Sequence, residues 1–152
     1  MKVSDCMKRK VIYESINATA RNAALKMVQN RIGTLPIVDD NGRMVGLVQM
    51  RDLITLAMPD FVNLLENVDF VRDFGAVEDE RPTAEMLDAS ISEIMGEPTS
   101  IEESAGLLRA LATIQEHDMS DLPVVDSEMH LLGIASNVDI GVKLMSNWQV
   151  SP

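Results

Sequence analysis

The sequence is poor in cysteine, in aromatic residues and in positive charge. Cys6 is the only cysteine, and aromatic residues make up 3% of the chain. Lysine and arginine number 13 against 24 aspartates and glutamates, so the formal net charge is −11. A single cysteine excludes an intrachain disulfide. The acidic balance disfavours a nucleic-acid-binding surface and an electrostatic anchor to an acidic membrane.

Long apolar runs are also missing. No stretch approaches the roughly 18 apolar residues of a membrane-spanning helix, and the N-terminus MKVSDCMKRKVIYE lacks the apolar core of a signal peptide. We therefore expect a soluble, cytoplasmic protein. Its 152 residues, of which 46% are hydrophobic, are enough for one core, built by one domain or by two small halves.

What the chain does contain is an internal repeat. GTLPIVDDNGRMVGLVQMRDLI (33–54) and SDLPVVDSEMHLLGIASNVDI (120–140) superpose without a gap when 87 is added to the first numbering. Upstream, VSDCM (3–7) resembles ISEIM (91–95) at an offset of 88. Matches that stay in register over this length indicate two copies of one structural unit.

Both copies have an amphipathic helix at the same place. The apolar residues recur at helical spacing, which predicts one buried face per helix. They are Ala20, Ala23, Ala24, Met27 and Val28 in the first copy, and Leu107, Leu108, Leu111 and Ile114 in the second. Asn17 or Thr19, and Ser104, are the candidate N-caps.

A proline-led strand, PIVD or PVVD, follows each helix, and a hairpin leads to the next strand. Asn41 and Gly42 predict a tight turn in the first copy. The second copy lacks the glycine, so we expect a longer or differently shaped turn there. A second helix begins near Asp52 and near Asp139. The halves should pack sheet against sheet about a pseudo-twofold axis, with a cleft at the axis.

The duplicated unit, LPxVD, a turn, then a glycine six residues before an aspartate, resembles a pair of cystathionine-beta-synthase (CBS) domains, the Bateman module. The resemblance implies an α/β (α+β) fold of two β-α-β-β-α repeats, residues 1–57 and 91–152, separated by an insert at 58–90. It implies an energy-sensing regulatory module, not an enzyme. Such a module binds AMP, ADP, ATP or S-adenosylmethionine between its repeats, has no catalytic cofactor, and modulates an unidentified partner. A homodimer, with four repeats in a flat disc, is also implied.

Ser136 and Asp139 are three residues apart at the start of the last helix. The spacing is that of a capping box, in which each side chain accepts the other's backbone N–H. The resemblance implies that the same pair lines the nucleotide cleft, where the carboxylate accepts hydrogen bonds from ribose hydroxyls. The two roles are compatible, because a residue can cap the helix in the empty state and change partner when a ligand binds. A helix N-terminus also favours an anion. The resemblance implies further ligand contacts, with core packing as the alternative, at Asn137, Thr99, Ser100, Ile101, Met119, Ser120, Asp121, Leu122 and Pro123.

The first copy departs from the family pattern. Gln49 stands where serine or threonine is usual, and its longer side chain could fill the cleft, while Asp52 is kept. Arg51 could neutralise a phosphate, or pair with Asp52 or solvent. We therefore expect one competent site, built around the second copy. The weaker second site comprises Asp52, Gln49, Arg51, Thr34, Pro36 and Ile12.

The insert at 58–90 holds most of the negative charge. Nine acidic residues against two arginines give it a net charge of −7 out of −11. Apolar spacing predicts a helix over 60–73, followed by a loop. All three phenylalanines, Phe61, Phe70 and Phe74, lie there. They either cover the module's own core or dimer seam, or form a docking face for a partner.

Two other functions compete with ligand sensing. One is an interaction protein whose cleft is filled and binds nothing. The other is a hydrolase using Ser136 and Asp139, which is disfavoured because neither residue has a base within sequence reach. Cys6 has no nearby histidine to activate it and is expected to be a small, partly buried residue. His117 and His130 stand alone and are expected to lie at the surface or at a helix end.

Overall fold

The computed structural model describes residues 1–57 and 81–150. In the first repeat, a short 3-10 turn at Val3–Asp5 precedes the main elements. These are β1 (Glu14–Ser15), α1 (Ala20–Asn30), β2 (Thr34–Val38), β3 (Met44–Gln49) and α2 (Met50–Ala57). The strand β2 is parallel to β1 and antiparallel to β3, which gives a three-stranded sheet.

The second repeat has the same architecture. A short helix, α3 (Ala84–Asp88), and a 3-10 turn, Ile91–Glu93, lead into it. The main elements are β4 (Ile101–Glu102), α4 (Leu107–Glu116), β5 (Asp121–Val125), β6 (Leu131–Ser136) and α5 (Asn137–Met145).

The two sheets also share their strand register. Thr34 pairs with Gln49 in the first sheet, and Asp121 pairs with Ser136 in the second. Each hairpin has its irregularity one residue before the end of the leading strand, at Ile37/Val38 and at Val124/Val125. The predicted α/β class, element order and duplication are therefore confirmed.

The leading segments, defined here as residues 2–8 and 90–96, are exchanged between the repeats. Lys8 of the first copy pairs with Ile134 on β6 of the second, through backbone hydrogen bonds of 2.8 and 2.9 Å. At the equivalent position Gly96 pairs with Leu47 on β3, with bonds of 2.8 and 3.2 Å. Each sheet therefore carries backbone from the other copy at its edge, and the contacts are reciprocal about a pseudo-twofold axis.

The hydrophobic cores show the same exchange of leading segments. Val3 is fully buried in the core of the second repeat, among residues of α4, β5 and α5. Ile91 is fully buried in the core of the first, among residues of α1, β2 and β3. Met44 and Leu47 of β3 belong to the second repeat's core, so the repeats pack through their sheets as predicted.

The helix faces are narrower than the sequence pattern indicated. Ala20, Ala23 and Met27 of α1 are buried, but Val28 is 76% exposed. In α4, Leu107, Ala110 and Ile114 are buried, and Leu108 is 73% exposed. The two predicted edge positions are therefore wrong, because each lies one residue to the side of the face that meets the sheet.

The N-cap prediction holds for one helix. Thr19 caps α1 in a reciprocal capping box with Asn22. Ser104 does not cap α4, since that helix begins after Gly106, which has no side chain to accept a hydrogen bond. The isolated bridge between Lys2 and Gly106 places a leading segment at this helix start.

The hairpin turns correct another expectation. Asp39 accepts the N–H groups of Asn41 and Arg43, and Asp126 accepts those of Glu128 and His130 in the same pattern. Gly42 has φ 77°, and Met129 takes its place with φ 68°. The second turn thus has the same length and shape as the first, because the aspartate hydrogen bonds hold a non-glycine residue in the left-handed region.

Part of the insert lies outside the described residues. The predicted helix over 60–73 and all three phenylalanines fall within 58–80. Sequence reasoning missed α3, which Thr83 caps and which contacts α1 through an ion pair between Arg21 and Asp88. Across 1–57 and 81–150, no helix combines the length and apolarity needed to cross a membrane.

Candidate functional site

The start of α5 presents a capping box. The Asp139 N–H donates to Ser136 Oγ at 3.0 Å, and the Ser136 N–H donates to Asp139 Oδ2 at 3.0 Å. Each side chain therefore satisfies one N–H that the helix start would otherwise leave unpaired. Ser136 is the N-cap, so the sequence-based reading of this pair as a cap is confirmed.

The second carboxylate oxygen of Asp139 faces the exchanged segment. Lys8 Nζ lies 3.5 Å from Asp139 Oδ1. Partial burial raises the pKa of Asp139, but the hydrogen bonds from Ser136 and the nearby Lys8 ammonium outweigh it. The pKa of this carboxyl is therefore below its ordinary value, and it is ionised at neutral pH.

Lys8 also lines a cleft between the repeats, called here the Lys8 cleft, with a volume of about 270 Å³. Both copies contribute to its wall. The first copy provides Lys8, Lys10, Ile12, Arg31, Ile32, Gly33 and Thr34, and the second provides Asp121 and Ile134. The cleft combines an apolar floor with three cations near an ionised carboxylate.

A second cleft, called here the axial cleft, lies where the two repeats face each other. Its volume is about 400 Å³, and it shares Gly33 and Thr34 with the Lys8 cleft. The other lining residues are Gln49, Met50, Arg51, Asp118, Met119, Ser120 and Asn137. An ion pair of 3.0 Å between Arg51 and Asp118 joins the two repeats here. Arg51 therefore pairs with the other repeat and not with Asp52.

Several residues predicted for the main site do lie together. Asp121 is the strand partner of Ser136, and the Asn137 N–H donates to the Ser120 carbonyl oxygen at 3.0 Å. Met119 and Ser120 line the axial cleft beside Asn137.

Other predicted contacts lie elsewhere. Ser100 and Ile101 line a separate cleft near the second hairpin turn, and Thr99 directly precedes them. Leu122 and Pro123 are fully buried in the core, as is Pro36. Leu122 and Pro123 therefore pack in the core, which was the stated alternative for them, and so does Pro36, which was predicted for the weaker site.

The residues predicted for the weaker site are divided between the Lys8 cleft and the axial cleft. Ile12 and Thr34 line the Lys8 cleft, where the start of α5 contacts Lys8. Gln49 and Arg51 line the axial cleft. The Gln49 N–H donates to Asp52 Oδ2 at 2.8 Å, but Gln49 has no hydroxyl to complete a capping box.

Sequence reasoning missed Lys8, Lys10 and Arg31. The sequence did contain a signal for the two lysines, because KRK at 8–10 aligns with GEP at 96–98 when the two repeats are superposed. This difference could not be interpreted from the sequence, because the repeat pattern does not show that these residues lie against the last helix of the other copy.

The single cysteine and the two histidines lie outside the lining of the Lys8 cleft and of the axial cleft. Cys6 is half-buried, and its pKa is raised by burial and by the nearby carboxylates of Asp139 and Asp5. His130 lies in the second hairpin turn, with Nδ1 3.0 Å from Asp126 Oδ2, and His117 ends α4. Within the described ranges, no group of three or more histidine, cysteine or acidic side chains could hold a metal ion.

Comparison with known proteins gives consistent matches. The sequence model of the CBS domain matches residues 3–58 and 91–140. The CBS domain-containing protein YhcV of Bacillus subtilis is 29% identical over 145 residues, which cover 95% of this chain and 86% of YhcV. The protein MJ1426 of Methanocaldococcus jannaschii is 49% identical over 53 residues, which cover 35% of this chain and 32% of MJ1426.

A longer relative is the homoserine O-acetyltransferase of Methanosarcina acetivorans, 28% identical over 139 residues that cover 91% of this chain. The chain spans 21% of that enzyme and 32% of MJ1426, so it corresponds to a part of each.

Solved structures show the same fold. CBSX2 in complex with AMP has a TM-score of 0.71 at 21% identity, covering 97% of this chain and 98% of CBSX2. The CBS domain pair of MJ0100, in complex with 5′-methylthioadenosine and S-adenosyl-L-methionine, has a TM-score of 0.66 at 22% identity, covering 96% and 97%. At these identities the likeness establishes the fold alone.

Proposed function

The chain belongs to the CBS domain family, and from that membership and the geometry of the Lys8 cleft we propose that it is a regulatory module that binds an adenosine-containing ligand between its two repeats. The observation that carries the proposal is the position of Asp139. Its ionised carboxylate is fixed by the capping box and contacts a lysine of the Lys8 cleft. A fixed carboxylate accepts two hydroxyl donors well, and the two ribose hydroxyls of adenosine are such a pair.

The apolar part of the cleft suits the base. Ile12, Ile32 and Ile134 are half-buried and line the Lys8 cleft. Adenine is flat and largely apolar on its faces, so packing between these side chains removes apolar surface from water. The volume of about 270 Å³ lies near the lower end for ligand pockets, and the adjoining axial cleft extends it.

The relatives support the ligand class. CBSX2 was crystallised with AMP, and the MJ0100 pair with 5′-methylthioadenosine and S-adenosyl-L-methionine. These three ligands share adenosine and differ in what is attached to the 5′ carbon. The shared part is the part that Asp139 and the three isoleucines would recognise.

The test is calorimetry with AMP, ADP, ATP, adenosine and S-adenosylmethionine on the wild type and two matched variants. Asp139→Asn keeps an acceptor for the Ser136 N–H but removes the charge. Asp52→Asn makes the same change at the equivalent residue, whose Oδ2 also accepts a helix-start N–H. We expect Asp139→Asn to weaken binding about 10- to 150-fold and Asp52→Asn to have little effect. Equal affinities in both variants would remove Asp139 from the site.

Regulation requires a partner, and a homodimer is the first one to test. Several apolar side chains on the helices are exposed: Leu25, Val28, Leu108, Val138 and Val142. Exposed apolar side chains mark an interface where they form one contiguous patch, and the helices that carry these five are the surface to test. We expect a dimer in light scattering after size exclusion, and Val28→Asp with Val142→Asp should shift it toward monomer. The regulated protein itself would be sought by co-purification with and without the ligand.

The alternative is an interaction module that binds no ligand. The ion pair between Arg51 and Asp118 favours it, because it ties the two repeats together across the axial cleft. Both side chains are more than half exposed, so the pair contributes little energy and leaves the Lys8 cleft open. Absence of heat and of a thermal shift with every adenosine compound at millimolar concentration would favour this alternative.

A further inference from the structure

Three cations converge on the Lys8 cleft of a chain whose net charge is −11. Lys8 and Lys10 come from the exchanged segment and its continuation, and Arg31 comes from the end of α1. Within residues 1–57 and 81–150, Lys10 and Arg31 form no ion pair, whereas Lys8 contacts Asp139. Asp121 is the one acidic residue of the cleft wall.

At the pseudo-equivalent position in the other half, Gly96, Pro98 and Asp118 stand in place of Lys8, Lys10 and Arg31, and the nearby cation Arg51 is paired with Asp118. The segment 96–100 reads GEPTS, and it pairs with β3 as Lys8 pairs with β6. Arg31 and Asp118 follow their helices in the same left-handed conformation, with φ 54° and 50°. The backbones therefore match, while the two lysines are replaced by uncharged residues and the arginine by an aspartate. A phosphate on that side would meet Asp118 and an arginine that Asp118 already neutralises, whereas one in the Lys8 cleft would meet Lys8, Lys10 and Arg31.

We propose that the Lys8 cleft selects an adenosine ligand that carries phosphate, and that each chain binds one such ligand. This rests on the proposed function, since it specifies the ligand class of the same cleft. Lys8 changes partner on binding: the ribose hydroxyls take over Asp139, and the ammonium turns to the phosphate. The 65% exposure of the Lys8 side chain leaves it free to make this movement while its backbone stays paired to Ile134.

Electrostatics favour phosphate over sulfonium in this cleft. Phosphate oxygens accept charge-assisted hydrogen bonds from lysine and arginine, and the arginine fork can bind two oxygens at once. The sulfonium of S-adenosylmethionine would instead approach three like charges, and 5′-methylthioadenosine or adenosine would gain nothing from them.

The experiment measures affinity and stoichiometry by calorimetry for AMP, ADP, adenosine and S-adenosylmethionine, at low and at physiological ionic strength. We expect AMP or ADP to bind about 10-fold or more tightly than adenosine, at one per chain, with the advantage shrinking as salt rises. Lys10→Ala and Arg31→Asn should each reduce this advantage, because they should weaken AMP binding more than they weaken adenosine binding. Asparagine is used at Arg31 because it tolerates the left-handed backbone.

Arg43→Ala is the matched control, because it also removes one positive charge but lies at the hairpin turn, at the far end of β2 and β3 from Thr34 and Gln49. It should bind AMP like the wild type. Two AMP molecules per chain, equal affinity for AMP and adenosine, or tighter binding of S-adenosylmethionine would overturn the inference while leaving the proposed function standing. No binding of any adenosine compound would overturn both.

Discussion

Replacing Gly133 with alanine would push the exchanged segment away from β6. A Cβ built at Gly133 lies 2.5 Å from the carbonyl oxygen of Lys8 and 3.3 Å from Met7 Sδ. The first distance is about 0.9 Å shorter than the 3.4 Å at which ordinary van der Waals contact begins. The obstacle is backbone and not a flexible side chain, so the strand and the segment must separate.

The expected cost follows from what that separation disturbs. The two hydrogen bonds between Lys8 and Ile134 lie directly beside the new methyl group, and each contributes about 0.5 to 1.5 kcal/mol. Overpacking a closed site costs about 1 to 3 kcal/mol by itself. Because partial movement relieves some of both, we expect a loss of about 2 to 4 kcal/mol in the free energy of unfolding. For a chain of this size each kcal/mol lowers Tm by about 2 to 4 °C.

Thermal and urea unfolding measure the effect, with Gly141→Ala as the control. Gly141 lies within α5 and has no neighbour within 4 Å of a built Cβ, so alanine there should raise stability by about 0.5 to 1 kcal/mol. Gly133→Ala should also weaken AMP binding, since Lys8 moves. If Gly133→Ala unfolded like the wild type, the close approach of the exchanged segment to β6 would be wrong.

Three further changes test single features of the fold. Gly42→Ala should destabilise the first hairpin by about 1 to 2 kcal/mol, measured as a lower Tm, because a Cβ is penalised at φ 77° and would gain no contact there. Thr19→Ala should cost about 1 kcal/mol of unfolding free energy and Ser104→Ala almost none, since only the first caps its helix. Asp139 has a lowered folded-state pKa, so the stability it contributes is present above its unfolded value of 3.8 and is lost as pH falls through the folded pKa. Asp139→Asn should therefore flatten the acid limb of stability against pH, and an unchanged limb would exclude that contribution.

The architecture within each repeat was predictable because it depends on local signals. Periodicity located α1 and α4, and Asn41 with Gly42 marked the first hairpin turn. The prolines were expected to start their strands, and that prediction is wrong, because Pro36 and Pro123 are each the third residue of a five-residue strand. The errors have local causes too. Val28 and Leu108 are apolar residues at the margin of a helix face, where spacing alone does not distinguish packed from exposed positions. Met129 shows that hydrogen bonds to Asp126 can hold a conformation that sequence rules assign to glycine.

The composition of the site was less predictable, because it depends on which copy each leading segment joins. A repeat pattern is equally consistent with a leading segment that pairs with the sheet of its own copy and with one that pairs with the sheet of the other copy. The choice depends on burial of Val3 and Ile91 and on space above Gly133 and Gly46, which are tertiary facts. Residues 99–101 were predicted to line the same cleft as Ser136 because we assumed that each site is built from residues of one copy.

Once the exchange is known, the charges of the two leading segments distinguish the two halves of the module, which the repeated motif alone does not. Asp52 and Asp139 occupy equivalent positions and each accepts a backbone N–H at a helix start, so the carboxylates alone do not distinguish the two halves. What differs is the segment that the other copy lays beside each of them. Lys8 lies beside Asp139, and Gly96 takes the equivalent place in the other half. Divergence in the segments that cross between repeats can therefore change ligand preference in one half while the motif residues stay the same.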